Sequence, residues 1–216
     1  MKFKAVIFDL DGTLLDTIDD ISDAVNGALV QLDCPKHAVD EYKIMVGEGL
    51  TSLIVEALPE DRRDQKTIDE ALRLTREGYG KAFGRKTKPY DGITELLTEV
   101  AKRGVKMAIL SNKPDKYTKR DADEYLSGIK FVYVAGAKDD VPKKPDPAAV
   151  LEIVNKLGVN ASECLFVGDS DIDMKTAVNA GMYPVGVLWG FRGIGELKTS
   201  GAKKLIGKPK DLLPLL

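Results

Sequence analysis

Histidine, cysteine and tryptophan are scarce in this chain: one, two and one among 216 residues. Cys34 and Cys164 lie far apart and show no Cys-x-x-Cys spacing. That argues against a disulfide framework and for two free thiols in a reducing, cytoplasmic setting. The single histidine, His37, reads as a solvated residue rather than an acid–base group. Neither sign of charge is in excess, with 32 basic side chains against 34 acidic and a formal net charge of −2. Nucleic acid and anionic membrane surfaces therefore lose their electrostatic case as partners. No apolar stretch is long enough to span a bilayer, and the run after Met1-Lys2-Phe3-Lys4 is cut at Asp9, too early for a signal peptide. Internal repeats and low-complexity segments are also missing. What remains is a soluble cytoplasmic protein, with monomer and homodimer both open. Its 44% hydrophobic content can bury a full core and a small second domain.

The most informative stretch is Lys4-Ala5-Val6-Ile7-Phe8-Asp9-Leu10-Asp11-Gly12-Thr13. A short apolar run ends in two carboxylates one residue apart, as a buried strand does when it delivers charge to the carboxyl edge of an open α/β sheet. If the strand continued, Asp9 and Asp11 would share a face, and Gly12 would let the chain turn away. Such a pair needs a cation, a shared proton or separate roles. Aspartates at strand ends also serve as plain turn formers. A calcium loop wants glycine at its sixth position and glutamate at its twelfth, where counting from Asp9 finds Leu14 and Asp20.

The pattern then turns helical. Ile18, Ile21, Val25, Ala28, Leu29 and Leu32 keep helical spacing, with Thr17 and Asp20 placed like a capping box. A short helix from Val39 to Val46 breaks at Gly47-Glu48-Gly49, another resumes at Leu50 until Pro59, and a longer one stops at Gly84. From Pro89 helix and strand alternate. Strands are expected at Val105–Leu110, Phe131–Val134, Leu165–Val167 and Val185–Trp189. Alternation of this kind implies right-handed crossovers and a mostly parallel sheet, which the first strand can join. The expected architecture is a doubly wound, Rossmann-like α/β core, residues 1–16 plus 85–216, with an all-helical insertion at 17–84. Arg85-Lys86-Thr87-Lys88-Pro89 reads as the return hinge.

Three further strand ends carry polar groups: Ser111-Asn112-Lys113, Lys144 between Pro142 and Pro147, and Gly168-Asp169-Ser170-Asp171-Ile172-Asp173. Alone, Ser111 reads as a helix cap and Lys144 as a solvated lysine. The Asp169 cluster is no calcium loop either, since its sixth position is Met174 and its twelfth Ala180. Jointly they match one task. Asp9, Asp11 and Asp169 supply hard oxygen ligands for Mg²⁺, while Lys144, Ser111 and backbone N–H groups around Gly12 offset the charge of a phosphate. A carboxylate can itself attack phosphorus, the metal reducing the repulsion between the two anions.

These residues resemble the four motifs of the haloacid dehalogenase superfamily of phosphohydrolases, matching Asp9-Leu10-Asp11-Gly12-Thr13, Ser111, Lys144 and Gly168-Asp169-Ser170-x-x-Asp173 in order. The insertion after the first motif is similar to that family's first cap type. The resemblance implies Asp9 as nucleophile and Asp11 as general acid, then base. It implies Mg²⁺ on the Asp9 carboxylate, the Asp11 carbonyl and Asp169 with Asp173 in support. Ser111 with Asn112, Lys144, and Gly12 and Thr13 would bind the phosphoryl group. Retention of Asp11 separates the chain from dehalogenases proper and from phosphonatases, and Thr13 is unlike the β-phosphoglucomutases. Other mutase-like or pyrophosphatase-like members of the family, a non-catalytic phospho-acceptor of the receiver type, and a pseudoenzyme that only binds phosphometabolites are the alternatives. Receiver modules are shorter and carry no acid two residues past the acceptor.

Within the family the chain resembles phosphoglycolate phosphatases through Val46-Gly47-Glu48-Gly49-Leu50, Ser111-Asn112-Lys113-Pro114-Asp115 and Trp189-Gly190-Phe191-Arg192. Gly47, Glu48 and Gly49 would form a cap loop reaching the leaving group. An acidic Glu48 facing a carboxylate substrate would repel it, so either it points away or the substrate is another organic phosphate. Arg192 reads as a surface residue, with reach to an anionic substrate as the alternative.

Overall fold

The computed structural model describes residues 3–81 and 86–216. In chain order its elements begin with β1 (Ala5–Phe8), β2 (Leu15–Asp16), α1 (Ile18–Gln31), α2 (Val39–Met45), α3 (Leu50–Ala57) and α4 (Gln65–Lys81). There follow β3 (Lys88–Pro89), α5 (Ile93–Lys102), β4 (Lys106–Pro114), α6 (Asp115–Tyr125), β5 (Tyr133–Ala137) and α7 (Ala148–Leu157). The chain closes with β6 (Cys164–Gly168), α8 (Asp171–Asn179), β7 (Tyr183–Val187), α9 (Ile194–Thr199), β8 (Lys204–Ile206) and a 3₁₀ helix at Pro209–Leu215. It divides into two compact units, Met1–Leu15 with Pro89–Leu216, and Asp16–Lys88.

The first unit is a six-stranded sheet in the order β5-β4-β1-β6-β7-β8, every neighbouring pair parallel. The doubly wound α/β architecture expected from the alternating pattern is therefore the one observed. Side-chain alternation along β1 builds both faces at once. Val6 and Phe8 pack with Ile93, Leu96, Leu97 and Val100 of α5, while Ala5 and Ile7 pack with Val150, Ile153 and Val154 of α7 and Ala177 of α8. Because β1 is covered on both faces it reads as an unbroken apolar run. It is also central: the strand order departs from it in both directions, which opens a crevice at its carboxyl end.

Several elements differ from expectation, among them β7, which runs Tyr183–Val187 where Val185–Trp189 is expected. The strand expected at Val105–Leu110 runs on to Pro114, with irregular register between Leu110 and Pro114, so Ser111, Asn112 and Lys113 lie within β4. The strand expected from Phe131 begins at Tyr133. The strand β8, three residues long at the sheet edge and starting on Lys204, carries too little apolar signal to be read from sequence. The two thiols are free and buried. No helix among the described residues is long and apolar enough to cross a membrane.

In the second unit, α1 buries Ile18, Ile21, Ala24, Val25, Ala28 and Leu29. Gly78 of α4 packs on Ala24, where an added Cβ would sit 3.6 Å from the Ala24 carbonyl oxygen. The expected stop at Gly84 and the start of the hinge at Arg85 lie outside the described residues. Thr17 and Asp20 do not form the capping box. Thr17 makes no side-chain cap, and Asp20 Oδ2 instead accepts from the Thr87 N–H at 2.8 Å, the Thr87 hydroxyl at 2.6 Å and the Lys86 N–H at 3.3 Å. His37 is not a solvated residue. Its Nε2 donates to the Ala57 carbonyl at 2.8 Å, its N–H to Asn26 Oδ1 at 3.0 Å, and its carbonyl accepts from Asn26 Nδ2 at 2.9 Å. Tyr42 also donates to Asn26 Oδ1, so one imidazole and one amide tie α1, α2 and α3 together.

Asp20→Ala strips the acceptor from two buried donors on Thr87. We expect a loss of about 1–3 kcal/mol in urea unfolding of the helical unit; a loss below a few tenths would contradict this role for Asp20.

Candidate active site

The crevice at the end of β1 gathers charged side chains from the segments that follow β1, β5 and β6. Asp9 follows β1 directly, its N–H donating to the Val167 carbonyl of β6 at 2.9 Å. Asp169 follows β6. Asp173 lies in the first turn of α8, where it completes a capping box: its Oδ2 accepts from the Ser170 hydroxyl at 2.7 Å and the Ser170 N–H at 3.1 Å. Carboxylate oxygens of Asp9, Asp169 and Asp173 lie within 4.8 Å of one another, all three buried. Lys144 Nζ stands between two of them, donating to Asp9 Oδ1 at 2.7 Å and Asp173 Oδ1 at 2.6 Å, with its side chain 3% exposed. The ammonium also lies 5.5 Å from the centre of the Phe166 ring.

The electrostatics follow from burial and crowding. Burial disfavours charge on Asp9 and lifts its carboxyl well above the usual range; Lys144 opposes that lift, and Asp173 and Asp169 add to it. Burial and the Asp173 charge push Asp169 up to about 7, against the Phe191 N–H, Lys144 and Thr13, which favour its ionised form. Although burial works against the Lys144 charge, Asp173 and Asp9 hold its pKa above the ordinary lysine value. One ammonium among three carboxylates leaves excess negative charge in a buried space. Three hard oxygen donors in that setting fit a small divalent cation.

Asp169 is held in place by groups that carry no charge. Thr13 Oγ1 donates to its Oδ1 at 3.2 Å and the Phe191 N–H to its Oδ2 at 2.7 Å. The Trp189 indole donates to the Thr13 carbonyl at 3.0 Å. Gly12, with φ of 81°, and Gly190 both press against Asp169; a Cβ at either would overlap its carboxylate. The loop after β7 thus closes over Asp169. In sequence Trp189-Gly190-Phe191-Arg192 carries only a likeness, yet the Phe191 N–H it supplies holds Asp169 in place. Arg192, expected on the surface, keeps its side chain 13% exposed with Nε 3.4 Å from Glu196.

The remaining expected residues divide. Ser111 is buried in β4, and its Oγ accepts the Lys113 N–H at 3.1 Å, which leaves the hydroxyl proton to be donated to an anion. Asn112 spends both ends of its amide on the backbone of Lys144, at 3.0 Å and 2.9 Å, so it positions the lysine. Asp11 does not share a face with Asp9, because β1 ends at Phe8 and the chain turns at once, with Thr13, Leu14 and Leu15 all donating to the Leu10 carbonyl. Its carboxylate meets Lys113 Nζ at 2.9 Å instead. That lysine and its second partner, Asp121, were not foreseen as functional; Asp121 falls in the buried stripe of α6 with Thr118 and Ala122, an unusual place for an acid. Gly47, Glu48 and Gly49 belong to the second unit, where Gly49 precedes α3 with φ of 97° and Glu48 is exposed.

A model of haloacid dehalogenase-like hydrolases matches residues 6–187. Phosphoglycolate phosphatases of Pseudomonas syringae pv. tomato and Pseudomonas savastanoi pv. phaseolicola are 34% and 33% identical to the chain, over 98% of it and 79% of their own length. A solved structure from Lactobacillus delbrueckii subsp. bulgaricus, a candidate phosphoglycolate phosphatase, superposes with a TM-score of 0.90 at 32% identity. The match covers 98% of this chain and 97% of that one.

The raised Asp169 carboxyl gives a signed expectation. The folded state binds this proton more tightly than the unfolded chain, so the metal-free protein loses stability as pH rises from about 4 through about 7. Asp169→Asn removes that loss. In EDTA the variant should resist urea better than the parent at pH 8, with the advantage shrinking at pH 5. If the cluster takes a divalent cation, MgCl₂ should raise the melting temperature of the parent and not of the variant. A variant less stable than the parent at pH 8 would contradict the repulsion described here.

Proposed function

The chain belongs to the haloacid dehalogenase-like hydrolases, and from that premise we propose that it is a Mg²⁺-dependent phosphatase of a small organic phosphate, 2-phosphoglycolate being the first candidate. The observation that carries this reading is the buried Asp9 carboxylate, held by Lys144 beside Asp169 and Asp173. The names of the relatives support the substrate.

Asp9 attacks phosphorus as the bond from phosphorus to the leaving oxygen breaks, and Asp11 gives that oxygen its proton. Water then attacks the phosphorylated Asp9, the phosphorus–Asp9 bond breaks, and Asp11 takes the proton from the water. Lys144 and the Ser111 hydroxyl balance charge on the phosphoryl oxygens, while Asn112 keeps the Lys144 backbone in place. Asp9, the Asp11 carbonyl, Asp169 and Asp173 would hold Mg²⁺, which offsets the repulsion between nucleophile and phosphate when bound. Residues 16–88 serve as a helical cap whose Gly47-Glu48-Gly49 loop sets specificity, and the protein works in the cytoplasm.

The test is a steady-state assay of the purified chain against 2-phosphoglycolate and a broad panel of phosphometabolites, with Mg²⁺ and with EDTA. Turnover of at least one monoester, abolished by EDTA, is expected; metal-independent turnover or none would overturn the reading. Asp9→Asn should cost at least about 10³-fold in kcat while the protein stays folded by circular dichroism.

A further inference from the structure

Lys113 carries a buried charge that the reaction as written does not use. Its side chain is 7% exposed, and its Nζ lies 2.9 Å from Asp11 Oδ1 and 2.5 Å from Asp121 Oδ2. Asp121 is fully buried on α6, and its other oxygen, Oδ1, meets Arg120 Nη2 at 3.3 Å and Nε at 3.4 Å. Arg120 in turn lies over the Tyr117 ring, 4.9 Å from its centre. The result is a line of alternating charge, Arg120–Asp121–Lys113–Asp11, from α6 to the turn after β1. Lys113, Asp121 and Asp11 are largely buried while Arg120 is 27% exposed; burying such charges is costly, and well-packed apolar residues would often serve stability as well or better. A line of this kind at the active-site edge therefore calls for a role beyond holding the fold.

We infer that Lys113, anchored by Asp121, is the positioning residue that sets where the Asp11 carboxylate stands. This rests on the reading of Asp11 as the group that moves the proton. The argument is geometric. Asp11 sits on the turn whose next residue is Gly12, with φ of 81°, and its carboxylate accepts from Lys113 Nζ at 2.9 Å. Asp9, Asp169 and Asp173 crowd together, and Asp11 stands outside that group, drawn to Lys113. Lys113 cannot follow Asp11 far, because Asp121 is fixed in the buried stripe of α6. The lysine backbone is pinned too: its N–H donates to Ser111 Oγ at 3.1 Å and its carbonyl accepts from Thr118 Oγ1 at 3.0 Å. Ser111 and Lys113 are thereby placed by the same stretch of β4, so the phosphate-binding hydroxyl and the holder of Asp11 move as one. Two cations then divide the work. Lys144 serves Asp9 and the phosphoryl group, and Lys113 serves Asp11.

The test separates this role from a structural one and from direct phosphate binding. Lys113→Met, Lys113→Arg and Asp121→Asn are compared with the parent in Mg²⁺ on an alkyl phosphate and on p-nitrophenyl phosphate, whose leaving group barely needs a proton. Single-turnover phosphorylation is followed by rapid quench, and competitive inhibition by inorganic phosphate is measured beside it. For Lys113→Met we expect a loss of roughly 10–100-fold on the alkyl phosphate, as misplaced acid–base groups give. The loss on p-nitrophenyl phosphate should stay within about 3-fold, the phosphate inhibition constant should hardly change, and Lys113→Arg should recover part of the loss. Asp121→Asn should show the same split more weakly, and it keeps the test intact if Lys113→Met fails to fold. Equal losses on both substrates, or weakened inhibition by phosphate, would overturn the inference. A parent that turns over no phosphate monoester would overturn the function instead.

Discussion

Repulsion among carboxylates is the constraint on which the first unit depends. Asp9, Asp169 and Asp173 lie within 4.8 Å of one another and are all buried. Each must be held against the other two and against its preference for water. The protein answers with one buried ammonium, two hydroxyls and a small set of N–H donors. Lys144 bridges Asp9 and Asp173, Ser170 completes the hold on Asp173, and Thr13 and Phe191 hold Asp169. The arrangement stays short of neutral, a setting that suits a small divalent cation. Features that look local follow from it: Gly12 and Gly190 are glycines because Asp169 fills the space a side chain would need.

The sheet was legible because its signals are strong and redundant. Apolar runs capped by glycine and separated by amphipathic helices announce a parallel sheet, and the polar ends of β1, β4 and β6 announce its carboxyl edge. The less legible parts have physical reasons. The strand β8 is short and charged because it is an edge. The strand β4 continues past Leu110 through Ser111, Asn112 and Lys113, residues that by propensity suggest a turn, because it takes up pairing with β5 again at Pro114, opposite Ala137. Thr17 and Asp20 have the spacing of a capping box, but Thr87, distant in sequence, offers Asp20 two donors and wins. His37 looked solvated because its partners, Asn26 and Ala57, come from other helices.

The site divides in the same way. Residues that carry chemistry stand out, since a carboxylate or lysine at a strand end has few structural excuses. Residues that position them do not. Nothing in the sequence around Asn112 says that it grips the Lys144 backbone, and Phe191 contributes a backbone N–H, which has no sequence signature. Asp121 is one acid among several on a polar helix, and only its place in the buried stripe marks it.

The central claim is that the buried Asp9 carboxylate is the group that takes up phosphate. It is tested most directly by rapid acid quench of the parent protein during turnover, followed by mass analysis of its peptides. The account predicts one added phosphoryl group on the peptide containing Asp9, formed and lost at rates that match turnover. Turnover that proceeds with no phosphorylated peptide, or with the phosphoryl group on another residue, would contradict it.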